Sequence, residues 1–455
     1  FFKQKTAYEI KECDWSSDVC SSDLIQNYTN GNYDEAVAIG CDNSGSVYVT
    51  GKRSGVNAFY DWATIKYDAA GTQQWIDIYA NTIAGYNEEP VDLEVDQSGN
   101  IYVAGYVQQP SSSDRNYYVI KYNSSGGRIW ESAFANTTPN GDDYPVDMAV
   151  DAVGNVFVIG NSLNNPGGMD ICTVKFNSSG QFVWEARIDS IGQTDYARSI
   201  MLDPSGNSVY VAGDITVSNL GFGMMRDWVI VKYDTAGTEL SRLKLNGPAN
   251  DFDLPYQLAV NGAGEVAATG MFSVHQSGYQ NGDIVTFKLT NQLNPIWSRS
   301  VNGNSFADDH GTAMVVDSSG NTYICGYTKG GENTLEDFIV LKFDENGNQL
   351  WSYLYQGPEE NSSEMAIAIA VDQQQHVYVT GTVDTSGGSN YHDIYTVELD
   401  PLGNPVWQDL RGGSAGGNDV PSSIVVDTSG KVFRSEEHTS ELQSHSFISY
   451  AVFCL

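Results

Sequence analysis

Two rows of acidic side chains recur along this chain at a fixed phase, and aligned carboxylates are the raw material of cation binding and acid–base chemistry. The first row is Asp34, Glu88, Asp143, Asp195, Asp253, Asp309, Glu364 and Asp419, each eight residues ahead of an Asp-x-x-Gly turn or its equivalent. The second is Asp61, Asn116, Asp170, Asp227, Asp283, Asp337 and Asp393. Two roles suit them. Each carboxylate can accept backbone N–H bonds that fix a turn or join it to a neighbouring segment. Together they can also form a ring of negative potential that holds a cation, Ca2+ being the natural candidate, or a cationic ligand. A third row, five residues beyond the second, is basic: Lys66, Lys121, Lys175, Lys232, Lys288 and Lys342, with Glu398 in the last place. Five residues of strand span about 16 Å, so the lysines belong to the opposite face. There they are expected to pair with turn acids such as Asp42, Asp96, Asp151 and Asp317.

Other chemistry finds no motif. His275, His310, His376 and His392 share no metal-ligand spacing, and HExxH and phosphate-cradling glycine loops are absent from the sequence. The DxSGN turns lack the twelfth-position Glu and the further oxygens of an EF-hand. No catalytic residue and no cofactor site is therefore assigned.

The elements that must position these rows are short strands in a long repeat. A VYVTG-like run ends in Gly51, Gly105, Gly160, Gly213, Gly270, Gly326 and Gly381, at steps of about 55 residues. Ahead of each glycine lies a hairpin signal such as DNSGSVYV, DQSGNIYV or DSSGNTYI. Beyond it lies a second, such as IKYDAAGTQQW, VKFNSSGQFVW or LKFDENGNQLW. Asp or Asn caps such a turn and Gly supplies its positive φ. The third run of each unit is apolar on consecutive residues, as in Trp228, Val229, Ile230 and Val231, which suits a strand buried on both faces. The fourth centres on Trp75, Trp130, Trp184, Trp297, Trp351 or Trp407. Four-stranded units at this period, without helical stretches, predict an all-β propeller. Seven blades closing a ring is the favoured count, with eight the alternative if the partial units at the two ends share a blade. In such a ring both acid rows fall on one face, at the entries to strands one and three. The strand two–three connections around 217–226, 273–282 and 329–336 vary most, and a binding surface belongs there.

The pattern A-[IV]-x-VD-x-[SG]-GN-[IV]-YV-[TA]-G, followed by D-[FW]-x-[IV]-x-K-[FY]-[DN]-x-x-G-x-x-x-W, resembles the SBBP family of β-propeller repeats over essentially all of residues 34–433. The unit around Asn261 departs by losing its Asp and GN pair, and the one at Leu240 by losing its Trp. That resemblance implies a secreted or cell-surface bacterial protein, hence an extracellular location and further domains in the same full-length chain. DENGNQLW also resembles the tryptophan-docking hairpin of quinoprotein dehydrogenases and their scaffold relatives. The adjacent cysteines that would stack on the quinone are missing, so the tryptophans read as blade-to-blade packing.

The two ends stand apart. DWSSDVCSSDL at 14–24 and RSEEHTSELQSH at 434–445 resemble translations of one sequencing adapter from opposite strands. Residues 1–24 and 434–455 are accordingly set aside as non-native, leaving a propeller over 25–433. Of the cysteines in that span, Cys41, Cys172 and Cys325 each sit in a strand context and read as buried thiols. A net charge of −34 disfavours nucleic acid, and no apolar run approaches a membrane span. The function expected is non-catalytic binding or adhesion, with a glycan, peptide or protein ligand. The alternatives are a carboxylate-dependent glycan hydrolase or lyase, or a quinoprotein-like scaffold propeller.

Overall fold

The computed structural model describes residues 34–438 and Phe447–Ile448, apart from the stretches 56–58, 81–85, 109–113, 137–140, 165–167, 191, 219–224, 250, 275–281, 304–307, 330–334, 358–361, 386–391 and 413–417. The three variable connections singled out above fall largely on those stretches, as do His275 and most of the adapter-like flanks, and lie outside the described residues.

In the first repeat unit, β1 (Asp34–Cys41), β2 (Val47–Ser54), β3 (Tyr60–Tyr67) and β4 (Gln73–Tyr79) form one antiparallel meander. Six further four-stranded sheets of the same order follow, over 88–134, 143–188, 196–245, 253–301, 310–355 and 364–411. These are the seven complete blades the period predicts, and no helix occurs among the described residues. A smaller sheet follows, built from Asp419–Val426, Val432–His438 and Phe447–Ile448. Its first strand packs against the first strands of blades seven and one, so this partial unit takes a place in the ring. Its second strand continues past Phe433 into the first residues of the adapter-like flank.

The local chemistry explains the meander. Asp42 Oδ1 accepts the N–H groups of Ser44 and Ser46, and Gly45 beside them sits at φ 75°. Asp96, Asp151 and Asp317 repeat the arrangement. Where the glycine is replaced, Gln375 and Leu293 take the left-handed conformation themselves, at φ 66° and 62°. The third strand is buried on both faces as expected, with Trp228, Val229, Ile230 and Val231 all at 0% exposure. The apolar clusters lie between blades rather than within them. Phe157 and Ile171 of blade three, for example, pack with Ile200, Val209 and Val231 of blade four. Burial of each such aliphatic side chain contributes about 1.5–3 kcal/mol. The first strands touch their counterparts in neighbouring blades all round the ring, so they form the innermost layer. Each carries a β-bulge two to four residues after its inner-row acid, as between Ala36 and Ala38 or between Ala197 and Ser199.

Candidate functional site

All eight acids of the inner row are buried, at 0 or 1% exposure. Five of them accept backbone N–H bonds. Asp195 accepts N–H bonds from Ser190, at 3.0 Å, and Thr216, at 2.8 Å. Asp253 accepts those of Gly247 and Ser273. Asp309 accepts those of Gly303 and Lys329 and the hydroxyl of Thr328. Asp143 accepts from Asn136, and Asp34 from Ser54. One partner thus lies in the connection from the preceding blade's fourth strand and the other at the end of the same blade's second strand. A single carboxylate ties two blades together. Burial pushes Asp143 and Asp195 up to about 6, and Asp253 and Glu364 up to about 7. It also raises Asp309.

The second row lies beside the first. Asn116, Asp170, Asp283 and Asp337 are buried, whereas Asp61, Asp227 and Asp393 keep some solvent contact. Asp283 accepts a hydroxyl bond from Ser300, Asp393 one from Thr385, and Asp337 an amide bond from Gln356. Asp61 lies 4.0 Å from Arg53. Asp170, of the second row, approaches Asp195, of the first, and Asp189 joins them. One oxygen from each lies within 4.8 Å of the others. Among the described residues this is the group that could share a divalent cation, and the nearness of Asp170 adds to the upward shift of Asp195. Asp283 also lines a cavity of about 320 Å³ in blade five, with Pro248, Phe272 and Arg299.

The lysines reach the hairpin face as expected, but their partner is different. Lys66 Nζ donates to Ser124 O, Lys175 to Thr235 O, Lys232 to Asn291 O, Lys288 to Glu345 O and Lys342 to Pro401 O. Each acceptor is a turn carbonyl of the next blade. Except in blade five, where Ala267 faces Lys288, the ammonium also lies over an aromatic ring of its own blade, as Lys121 does over Tyr102 at 4.7 Å. The turn acids are already spent on their own N–H groups and on tyrosine hydroxyls such as Tyr102 and Tyr323. Among the described residues only Lys288 finds a hairpin carboxylate, Glu265, at 2.9 Å. Tryptophans and lysines converge: Trp75, Trp184, Trp297 and Trp351 donate to the same four carbonyls as Lys66, Lys175, Lys288 and Lys342. In blade seven Glu398 replaces the lysine and bonds His376.

What the repeat pattern concealed are the positions that differ from blade to blade on the acid face. One residue after the inner acids come Glu35, Glu89, Tyr144, Tyr196, Leu254, His310 and Met365, cross-strand from Lys52, Tyr106, Asn161, Asp214, Met271, Tyr327 and Thr382. Arg115 lies over Tyr106 and Tyr144, at 5.3 and 4.8 Å. Arg226 lies over Tyr196 at 4.2 Å. Deeper on the innermost strands, Asp92, Glu94 and Asp147 also break the repeat, since blades one, six and seven place Ala38, Ala313 and Ala368 where Asp92 and Asp147 stand. Asp92 and Asp147 accept N–H bonds from the next blade, at Met148 and Ile200. Enclosure by protein raises both, repulsion from Asp147 and Glu94 adds to the rise of Asp92, and Glu94 beside them is pushed up to about 7. Aligning the units and reading only the unlike columns would have found both groups.

The ring of four-stranded blades defines the class: the chain is a β-propeller. Within it residues 296–332 match the family model for the SBBP β-propeller repeat, so the chain carries that repeat. Similar solved structures include the β-propeller domain of the Trilobed protease from Pyrococcus furiosus, at 8% identity and a TM-score of 0.44, covering 83% of this chain and 98% of that one. Another is a protein of unknown function from Bacteroides caccae, at 13% identity and a TM-score of 0.35, covering 64% and 89%. A third is a eukaryotic initiation factor, at 10% identity and 0.44, covering 82% and 77%. No curated protein matches the chain.

Proposed function

We propose that the chain is a non-catalytic binding module, part of a larger secreted or cell-surface bacterial protein, that takes up a glycan on its acid-row face. One observation carries this reading. The inner-row acids of that face are buried and most of them hold backbone N–H groups, while the columns beside them change from blade to blade into a belt of Tyr, Arg and His. A rigid frame with a variable, aromatic-rich surface is how binding sites are built on repeat scaffolds. Most charges of the belt are paired within it, Lys52 with Glu35 at 2.7 Å and Arg115 with Asp142 at 3.5 Å among them. The tyrosine rings of the belt, such as Tyr106 and Tyr144 with Arg115 over them, are the surface against which the C–H faces of sugar rings would pack. The test is a glycan and peptide array probed with the full chain, followed by Tyr106→Ala and Tyr144→Ala. Selective glycan binding that weakens about tenfold or more in these variants is expected. Binding that ignores both variants would remove the site from this face.

A second reading, a carboxylate-dependent hydrolase or lyase, draws on Asp92, Glu94 and Asp147, whose raised proton affinity is what a general acid needs. Release of reducing ends from a glycan the protein binds, lost in Glu94→Gln, would favour it.

A further inference from the structure

In the blades with a described counterpart, the bulge of the first strand presents one residue outside the ladder: Val37, Val91, Val146, Thr312, Ile367 and Ser422. In blades four and five that residue is Arg198 and Tyr256. A bulge re-aims the side chain it carries. Here two neighbouring blades use it to set a guanidinium beside a phenol.

Arg198 is held from behind. Its Nε donates to Asp214 Oδ1 at 2.7 Å, and Arg226 Nη1 donates to the other oxygen at 2.9 Å. Asp214 is completely buried. Two guanidinium groups thus share one carboxylate, leaving one positive charge over on a strongly acidic molecule. Arg198 keeps 27% of its side chain exposed, and among the described residues neither of its Nη atoms has a hydrogen-bond partner. Tyr196 and Tyr256 flank it, their ring centroids 6.0 and 5.8 Å from the guanidinium carbon. Tyr256 bonds His310 Nδ1 at 2.7 Å, and His310 stacks on Tyr327 at 4.7 Å. The result is a fixed guanidinium fork in an aromatic wall that spans blades four to six.

We infer that Arg198, with Tyr196 and Tyr256, forms a subsite for a carboxylate carried on a sugar ring, a uronic-acid residue of a glycan. The inference rests on the glycan reading of this face and adds the ligand's charge. The planar fork matches a carboxylate in bidentate fashion, and tyrosine faces accept the ring's C–H surface. A peptide adding as a further strand would need a free strand edge. Along this arc the inner-edge N–H groups are taken: Ala197 by Asn161, Ile200 by Asp147, Leu258 by Ser199 and Met314 by Gln257.

The experiment is calorimetric titration of the full chain with tri-galacturonate and with its fully methyl-esterified form, which keeps the same sugar rings and linkages but carries no charge. The acid should bind about tenfold or more tightly than the ester, equivalent to about 1.4 kcal/mol. Arg198→Gln should abolish that difference, Arg198→Lys should keep part of it, and Tyr256→Ala should weaken both ligands. Melting curves of each variant identify any loss that comes from unfolding. Equal binding of acid and ester, or a difference that survives Arg198→Gln, overturns the carboxylate subsite. If Tyr256→Ala still weakens both ligands in that case, the glycan reading stands. Failure of both trisaccharides to bind overturns the subsite, and the array then decides the glycan reading on its own. A tripeptide whose terminal carboxylate binds through Arg198 where the uronate does not would overturn the sugar class.

Discussion

At the residue scale, the inner-row acids carry the blade junctions, and Asp253 shows what that requires. Its oxygens hold the Gly247 and Ser273 N–H groups in a site without solvent contact. Asp253→Ala would leave two buried donors unpaired, and each such loss costs about 1–3 kcal/mol. Asp253→Asn keeps one carbonyl acceptor and nearly the same shape. The expected order in urea unfolding is therefore wild type, then Asn, then Ala, with the Ala variant about 2–4 kcal/mol less stable. A deficit for Ala no larger than for Asn would show that the carboxylate is not what holds the junction. Both acid rows were legible in the sequence because a repeat makes its constants visible. Burial was not, since it depends on the preceding blade. Arg198 and Tyr256 were hidden for the converse reason: repeat logic discards the positions where copies disagree.

At the element scale, the tryptophan of one blade closes on the glycine turn of the next. Trp351 Nε1 donates to Pro401 O at 3.0 Å, and the indole covers Gly403. A Cβ on Gly403 would lie 2.6 Å from Trp351 Cδ2, at a φ of +84°. Gly206 has a similar φ of +70° with nothing within 4 Å. Gly206→Ala should cost about 1 kcal/mol, the conformational penalty alone, and Gly403→Ala clearly more. Trp351→Ala is expected to cost about 2–4 kcal/mol, because the half-buried indole loses packing and a hydrogen bond. In the double variant the two losses should add to less than their sum, since the clash disappears with the ring. Strict additivity in a double-mutant cycle would mean that the indole and the turn are not coupled. The hairpins were readable because an Asp-x-x-Gly turn closes on itself within a few residues. The lysines were placed on the correct face but given the wrong partner. Their acceptor is a carbonyl in the next blade, and spacing within one unit cannot reveal it.

At the scale of the whole ring, the acids give the protein an unusual dependence on pH. Asp143, Asp195, Asp253 and Glu364 hold their protons to about 6 or 7 in the fold, against ordinary values of 3.8 for Asp and 4.5 for Glu. Between those limits the native state binds more protons than the unfolded chain, so stability falls as pH rises through the window. Turn acids such as Asp42 and Asp96 act the other way, since hydrogen bonds hold them below the ordinary value. Their contribution is present above about pH 4 and is lost only as the solution becomes more acid. His310, lowered by burial to about 4, gains stability for the fold between pH 4 and 6.5, but it is one group against four. The large net negative charge adds self-repulsion as pH rises, in the same direction as the buried acids. The melting temperature should therefore peak near pH 4–5 and decline by several degrees toward pH 8. Asp253→Asn should flatten that decline, because its share of the released protons is gone. A melting temperature that rises steadily from pH 5 to 8 would mean the inner carboxylates are ionised in the fold. The ring would then need a counter-charge at each junction, and Asp170, Asp189 and Asp195 would be the place to look for a bound cation.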